Sequence, residues 1–163
     1  MGSFLFLWYT DSVALDVLYL SNGHLHRMSY TNRFHVLHMS DDTKRLGQWG
    51  EEIAAKYLID RGYKILNRNY RNAIGEIDII GKKDGILVFV EVKTRDSIHA
   101  NHFLPEQSIT PHKQAKLRAL CEIYINKHRY KNDQEWQIDV MSISIDKTSK
   151  RARINHIQNA VYA

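Results

Sequence analysis

The dipeptide Asp84-Gly85 constrains the fold of this chain more than any other feature. It lies between two runs rich in β-branched residues, IGEIDIIG before it and ILVFVEVKT after it. Aspartate-glycine between two such runs is typical of a β-hairpin with a two-residue turn. We therefore expect two adjacent antiparallel strands joined at this dipeptide.

A two-residue turn also fixes which side chains face each other across the hairpin. Counting outward from the turn puts Asp78 opposite Glu91. The same count puts Glu76 opposite Lys93. The strand period of two then places all four side chains on one face of the sheet, whereas a three-residue loop would break the arrangement.

Two carboxylates directly opposite each other repel, and the cost rises in a strand as apolar as Val88 to Val92. A divalent cation would offset this cost, since oxygen ligands on rigid strands suit Mg²⁺ or Mn²⁺. Lys93 could then orient or deprotonate a metal-bound water and stabilise charge on a phosphate. The alternative is a surface hairpin with an ordinary Glu76–Lys93 ion pair, which leaves the facing carboxylates unexplained.

The remaining elements follow from periodicity and end signals. Apolar spacings of three and four predict a helix from Lys44 to Arg61, ended by Gly62. A short edge strand, YKILNRNYR, precedes the hairpin. Thr110-Pro111 opens a second helix to about Arg129, and WQIDVMSISI and ARINHI form the last two strands around a turn at 147–150. Residues 95–109 lack periodicity and are expected to form a mobile loop.

Composition sets the general class of protein. A chain of 163 residues is long enough for one ordinary domain, and 44% hydrophobic with 25% charged residues is typical of a globular protein. A single cysteine, Cys121, excludes an internal disulfide and a cysteine-based zinc site, and indicates a cytoplasmic protein. The net charge of +5 favours a polyanionic partner.

Residues 1–38 differ from the rest of the chain. Their apolar run is interrupted by Asp11 and Asp16, and it has neither a preceding basic segment nor a cleavage site, so we expect neither a membrane span nor a targeting signal. Seven of the 17 aromatic residues lie in this segment. We therefore expect a domain at 39–163, with 1–38 as an atypical extension that is either disordered or the product of a start site placed too far upstream.

The motifs of the central region resemble those of the YraN-type family of bacterial proteins, within the PD-(D/E)xK nuclease superfamily. The matching pieces are GEEIA at 50–54, GEID at 75–78 and FVEVKTR at 89–95, and the resemblance continues through Lys113 and IDV at 138–140. It covers about residues 44–160. The superfamily's proline before the aspartate is absent, since Ile77 precedes Asp78.

The resemblance implies a fold and a chemistry. The fold would be a restriction-endonuclease-like α/β core, a mixed central sheet of about five strands flanked by helices in the order α-β-β-β-α-β-β. The chemistry would be Mg²⁺-dependent hydrolysis of nucleic-acid phosphodiester bonds, with Mn²⁺ as a substitute. Asp78 and Glu91 would be metal ligands, Lys93 the catalytic lysine, and Glu51 the helix-borne acid that completes the site.

Other residues are candidates for supporting roles. Lys113 and Lys116 on the second helix, and Arg95 after the central strand, could contact nucleic acid, or could simply face solvent. Glu76 and Asp139 are candidates for residues that contact the metal ligands without binding the metal themselves. Asp139 could instead simply be a residue at the end of its strand. DNA is favoured over RNA as the partner, no membrane partner is expected, and a homodimer is left open.

Three functions compete. The first is an endonuclease, including one specific for branched or other structured DNA. The second is a nucleic-acid-binding accessory module with little or no nuclease activity of its own, whose binding would be salt-sensitive and independent of metal. The third is a protein-interaction adaptor, for which the basic charge would be incidental. The complete acid and lysine set favours the first.

Overall fold

A computed structural model describes residues 3–10, 14–21, 24–31, 42–96, 110–146 and 151–161, with side chains described from residue 43 onward except that of residue 151. Two helices and eight strands occur in these ranges. They are β1 (Ser3–Thr10), β2 (Ala14–Ser21), β3 (His24–Thr31), α1 (Asp42–Ile59), β4 (Lys64–Asn72), β5 (Gly75–Lys83), β6 (Ile86–Asp96), α2 (Pro111–Lys127), β7 (Trp136–Asp146) and β8 (Arg151–Val161).

All eight strands belong to one mixed sheet, in the order β3-β2-β1-β8-β7-β6-β5-β4. β6 and β7 are parallel, and every other neighbouring pair is antiparallel. A parallel pair needs a crossover connection, and α2 lies within the chain that joins β6 to β7. From α1 onward, the mixed five-strand sheet and the order α-β-β-β-α-β-β are as predicted.

The hairpin has the predicted turn and register. Asp84 and Gly85 both have positive φ angles, 49° and 87°, as a primed two-residue turn requires. The β5–β6 ladder runs from the Lys83–Ile86 pair to the Ile79–Val90 pair. Local sequence alone therefore fixes the alignment of the two strands from the turn as far as the Ile79–Val90 pair.

The two helices cover opposite faces of the sheet. Val88, Val90 and Val92 on β6 pack in one buried cluster with α1, whereas Leu87 and Phe89 pack in another with α2. Successive residues of a strand point to opposite faces, so β6 is covered on both sides. This burial explains why its sequence is continuously apolar instead of alternating.

The predicted end signals of the helices are present, but α1 spans Asp42–Ile59 and so lies two residues earlier at each end than the predicted 44–61. Gly62 has a φ of 83° and donates its N–H to the Ile59 carbonyl at 2.9 Å, which ends α1. Thr110 caps α2 by accepting the N–H of Lys113 at 3.3 Å, and Pro111 follows in the first turn. α2 ends at Lys127, two residues before the predicted end.

Three predictions concern segments that the structure describes only in part or not at all, namely residues 1–38, the loop after β6 and the turn before β8. The three strands β1, β2 and β3 fall within residues 1–38, and β1 pairs with β8. The division of the chain into an extension and a domain at 39–163 stays a prediction. Most of the expected loop, 97–109, and the turn at 147–150 lie outside the described residues.

One glycine allows α1 to approach the sheet closely beside the candidate site. A Cβ atom at Gly50 would lie 1.7 Å from Oγ1 and 2.7 Å from Cβ of Thr94 on β6. Real Cβ atoms do not approach other atoms so closely, so any other residue at position 50 would push the helix away from β6. Gly50 therefore sets the distance between Glu51 and the end of β6.

We predict that Gly50→Ala lowers the free energy of unfolding by about 1–3 kcal/mol, because the overlap with Thr94 outweighs the helix propensity of alanine. Gly47→Ala on the same helix is the matched control, since a Cβ there meets nothing within 4 Å. It should stabilise the protein by up to about 1 kcal/mol. Urea unfolding measures both, and equal effects of the two substitutions would contradict this account of α1 packing.

Candidate active site

The candidate site lies where strands β5 and β6 separate. Their backbone ladder ends at the Ile79–Val90 pair. Immediately beyond that pair, the Val92 N–H donates a hydrogen bond to Oδ2 of Asp78 at 2.7 Å. A side-chain carboxylate therefore takes the N–H that a continued ladder would have given to a backbone carbonyl.

The regular alternation of β5 side chains between the two faces of the sheet is interrupted between Ile77 and Ile79. Ile79 packs in the α1-side cluster, whereas Ile77, two residues earlier, packs in the α2-side cluster. In a regular strand these two side chains would share a face. The prediction that Asp78 and Glu91 form a directly facing ladder pair is therefore wrong, because the ladder stops before reaching them.

Glu91 lies beyond this break on the α2 side of the sheet. Its side chain is only 7% exposed. Oε1 accepts hydrogen bonds from two ammonium groups, that of Lys93 two residues along the strand and that of Lys113 on α2, the latter at 2.6 Å. Asp78 also interacts electrostatically with both Glu91 and Lys93. The structure therefore brings the three central predicted residues together and adds Lys113.

Glu51 approaches the site from the α1 side. Its charge raises the pKa of Asp78, less strongly than burial and Glu91 do. The close contact of Gly50 with Thr94 explains why the first acid of the motif GEEIA lies near β6. Glu51 is thus an electrostatic neighbour of Asp78, and its role as a ligand stays a prediction.

Asp78 has a strongly perturbed ionisation. Burial is the largest cause, followed by the negative charge of Glu91, and together they raise the pKa of Asp78 to about 7. The Val92 N–H and the Lys93 ammonium oppose the shift without cancelling it. The ionised form of Asp78 is therefore disfavoured in the folded protein in the absence of a further positive charge.

Glu91 and Lys93 shift in the directions expected of an ion pair. Burial alone would raise the pKa of Glu91, but the positive charges of Lys93 and Lys113 outweigh it, so that pKa is lowered. Burial alone would lower the pKa of Lys93, but the Glu91 charge outweighs it, so that pKa is raised. Glu91 is thus held as a carboxylate and Lys93 as an ammonium.

Glu76 does not lie opposite Lys93 in the β5–β6 ladder as the hairpin count predicts, and it does not form the ion pair with Lys93 that the alternative, a surface hairpin, would give. It forms an ion pair with Arg71 of the neighbouring strand β4, with Oε2 to Nε at 2.7 Å. Both side chains are more than half exposed, so solvent screens the pair and its contribution to stability is small. The ladder had already ended at Ile79, which removes the register on which the predicted pair depended.

Asp139 is completely buried beside Val90, on the α1 side of the sheet. Its carboxylate lies 2.8 Å from Nε2 of His156 and accepts hydrogen bonds from the Gln137 side chain and the Asn159 N–H. These contacts form a group separate from that of Glu91. His156 is not among the predicted residues, although its even spacing from the buried residues Ala152 and Ile154 indicates an inward-facing position.

The predicted nucleic-acid contacts divide between two elements. Lys116 lies one helical turn beyond Lys113, and its side chain crosses the start of β5, where a Cβ at Gly75 would lie 2.9 Å from Lys116 Cε. Arg95 lies near the end of β6 and is partly exposed. The two lysines therefore extend from Glu91 toward the GEID motif, whereas Arg95 extends the site along β6.

The chain belongs to the uncharacterised protein family UPF0102, whose model matches residues 50–143. It is similar to the UPF0102 protein of Roseiflexus castenholzii, with 42% identity over 123 residues that cover 76% of this chain and 98% of that one. It is also similar to the UPF0102 protein of Syntrophomonas wolfei, with 43% identity over 117 residues that cover 72% and 97%. The predicted resemblance to the YraN-type family is thereby confirmed.

Two solved structures are distantly similar. One is a complex of EndoMS with double-stranded DNA, at 14% identity and a TM-score of 0.32, in which the match covers 88% of this chain and 55% of that one. The other is a repair endonuclease from Pyrococcus abyssi, at 11% identity and a TM-score of 0.30, with coverage of 90% and 59%. The chain spans little more than half the length of each.

Two carboxylates, those of Asp78 and Glu91, are the candidate donors for a metal ion at this site. Within the residues that the structure describes, no three His, Cys, Asp or Glu side chains form a group that could hold a metal ion together, so the role of Glu51 as a third ligand stays a prediction. Asp78 and Glu91 nevertheless fit Mg²⁺, which commonly uses one or two carboxylates and completes its shell with water and phosphate.

Neither described helix is long and apolar enough to cross a membrane.

We predict that Asp78→Asn stabilises the protein in EDTA, by about 3 kcal/mol more at about pH 8 than at about pH 4.5. The pKa of Asp78 is raised, so the unfolded chain loses this proton at about pH 4 and the folded chain only at about 7. The wild-type protein therefore loses stability as pH rises through that window, and asparagine avoids the loss while keeping an acceptor for Val92.

Urea unfolding at the two pH values measures this difference. Asp84→Asn is the control, since it removes an exposed carboxylate at the hairpin tip and should change stability about equally at both. A stabilisation by Asp78→Asn that does not grow with pH would contradict the assignment of an unfavourable buried charge.

Proposed function

We propose that this protein is a Mg²⁺-dependent endonuclease that hydrolyses phosphodiester bonds in nucleic acid, with DNA favoured over RNA. The observation that carries the proposal is the convergence of Asp78, Glu91 and Lys93 at the point where β5 and β6 separate. A fold stabilised only by its core would gain nothing from partly burying two like charges and a lysine there. Sites that perform chemistry commonly contain such perturbed groups.

Asp78 and Glu91 are the residues that would hold the cation. The negative charge of Glu91 raises the pKa of Asp78, and a divalent cation between the two carboxylates would relieve that repulsion. Bound Mg²⁺ would supply Lewis-acid stabilisation of phosphate charge and an acidified water. The Val92 N–H would help to orient Asp78 both with and without the cation, because it donates a hydrogen bond to Oδ2.

Lys93 would act as a positive charge toward the substrate. Its raised pKa keeps the side chain protonated at neutral pH, which favours stabilisation of a charged phosphate over removal of a proton from water. Glu91 positions the ammonium through a direct hydrogen bond. Substituting Lys93 should therefore impair the chemical step even where substrate still binds.

Nucleic acid is the substrate class that the surrounding charge favours. The chain has a net charge of +5, and Lys113 and Lys116 extend from the site along α2. Lysines in such a row can follow the phosphates of a nucleic-acid backbone and would make binding sensitive to salt.

We also propose a cytoplasmic location, in keeping with the single cysteine, Cys121, which is buried as a free thiol.

A nucleic-acid-binding accessory module is the second candidate function. It is favoured by the two ammonium groups that already neutralise Glu91, because a carboxylate paired in this way is stable without a cation. Such a module would use the same basic residues but would bind its partner equally well in EDTA and in Mg²⁺. Cleavage and metal dependence therefore separate the two functions.

We predict metal-dependent cleavage in a panel of single-stranded, flapped, duplex and four-way-junction DNA, with matched RNA strands. Asp78→Ala and Lys93→Ala should each reduce the cleavage rate by at least about 100-fold, which is the scale of one lost catalytic group. Product formation with Mg²⁺, Mn²⁺ and EDTA measures the effect.

Asp84→Asn is the matched control, since it removes a carboxylate from the same hairpin at an exposed position away from the site. It should cleave at the wild-type rate. Metal-dependent cleavage that survives in both Asp78→Ala and Lys93→Ala would contradict the proposal. Salt-sensitive binding without any product from any substrate would favour the accessory module instead.

A further inference from the structure

Lys113 occupies a position that a nucleic-acid contact alone does not explain. Its ammonium lies 2.6 Å from Oε1 of Glu91, the same oxygen that accepts from Lys93. One carboxylate carries one negative charge, so two ammonium groups on it leave a surplus positive charge and repel each other. A divalent cation at Glu91 would add to that surplus.

The two lysines differ in how they reach Glu91. Lys93 is on the same strand, two residues along, so its backbone is fixed with that of Glu91. Lys113 comes from a different element, α2, and its side chain is 35% exposed, close to the 31% of Lys93. It can therefore leave Glu91 by rotating its own side chain into solvent, without moving β6.

The backbone at Lys113 stays in place when its side chain rotates. The N–H of Lys113 donates to the Thr110 side chain in the cap of α2. Lys116, one turn later, is exposed and crosses Gly75. An ammonium released from Glu91 would therefore remain beside the site and next to a second lysine, which is where a phosphate on the substrate backbone would lie.

We propose that Lys113 is an internal counter-ion that holds Glu91 until a divalent cation replaces it, and that the freed ammonium then binds a phosphate of the nucleic acid. This inference rests on the proposed function and adds a regulatory step to the same site. Cation and Lys113 compete for one oxygen, so each weakens the other's hold on Glu91. Cation and nucleic acid are consequently coupled through a single side chain.

The coupling predicts opposite effects of one substitution on two ligands. Lys113→Met keeps an unbranched side chain and removes the charge, so it should tighten Mn²⁺ binding by roughly tenfold, within the usual range of coupling between sites. Lys127→Met is the matched control, because it removes one charge from the last turn of the same helix. Its Mn²⁺ affinity should equal that of the wild type.

The second effect concerns a DNA duplex whose phosphorothioate linkages resist cleavage. In Mn²⁺, Lys113→Met should reduce the slope of log affinity against log salt by about 1, as expected for one lost phosphate contact. In EDTA the slope should not change, because the wild-type lysine is then held by Glu91. A role confined to helix structure would not make the change depend on metal.

Mn²⁺ titration of the full chain, followed by electron paramagnetic resonance of the free ion, tests the first effect, with Lys113→Gln as a second variant if Lys113→Met does not fold. Unchanged or weaker Mn²⁺ binding in the folded variant would overturn the role of Lys113. Weaker binding in Asp78→Asn shows that the cation site itself is present. If wild type and Asp78→Asn bind Mn²⁺ equally, the proposed function fails together with this inference.

Discussion

The hydrogen bond from the Val92 N–H to the Asp78 carboxylate is the interaction on which the rest of the site depends. It lies where the backbone ladder between β5 and β6 ends, and it allows the strands to separate without leaving that N–H unpaired. The separation opens space beside Glu91 for side chains from other elements. Lys113 enters this space from α2, whereas Gly50 brings α1 close on the other side.

The electrostatics of the site follow from that geometry. Glu91 is ionised because lysines surround it, whereas the pKa of Asp78 is raised because burial and Glu91 act on it together. The pKa values of the two neighbouring carboxyl groups are thus shifted in opposite directions, a pattern common where two acids have different chemical roles. The charge of Lys93 does not cancel the shift at Asp78, whereas Glu91 has two ammonium groups for one negative charge. A cation bound between the two carboxylates would supply positive charge to Asp78.

Much of the fold could be predicted because its signals are local. Asp84-Gly85 fixes a turn, Gly62 ends a helix and Thr110-Pro111 begins one, and each of these depends only on neighbouring residues. The site was predicted less completely because its geometry depends on contacts between distant elements. A count along the hairpin could not show that the ladder stops at Ile79, nor that Glu76 would pair with β4 instead of β6. The second lysine on Glu91 comes from a helix whose placement on the sheet no local pattern specifies.

The proposed function requires Asp78 and Glu91 to share one divalent cation. Anomalous diffraction from crystals soaked in Mn²⁺ tests it most directly, because manganese is located independently of any activity. We predict one anomalous peak within ligand distance of both carboxylates, with Lys113 displaced from Glu91. Crystals that show no peak there, while Glu91 keeps both lysines at high Mn²⁺ concentration, would contradict the claim.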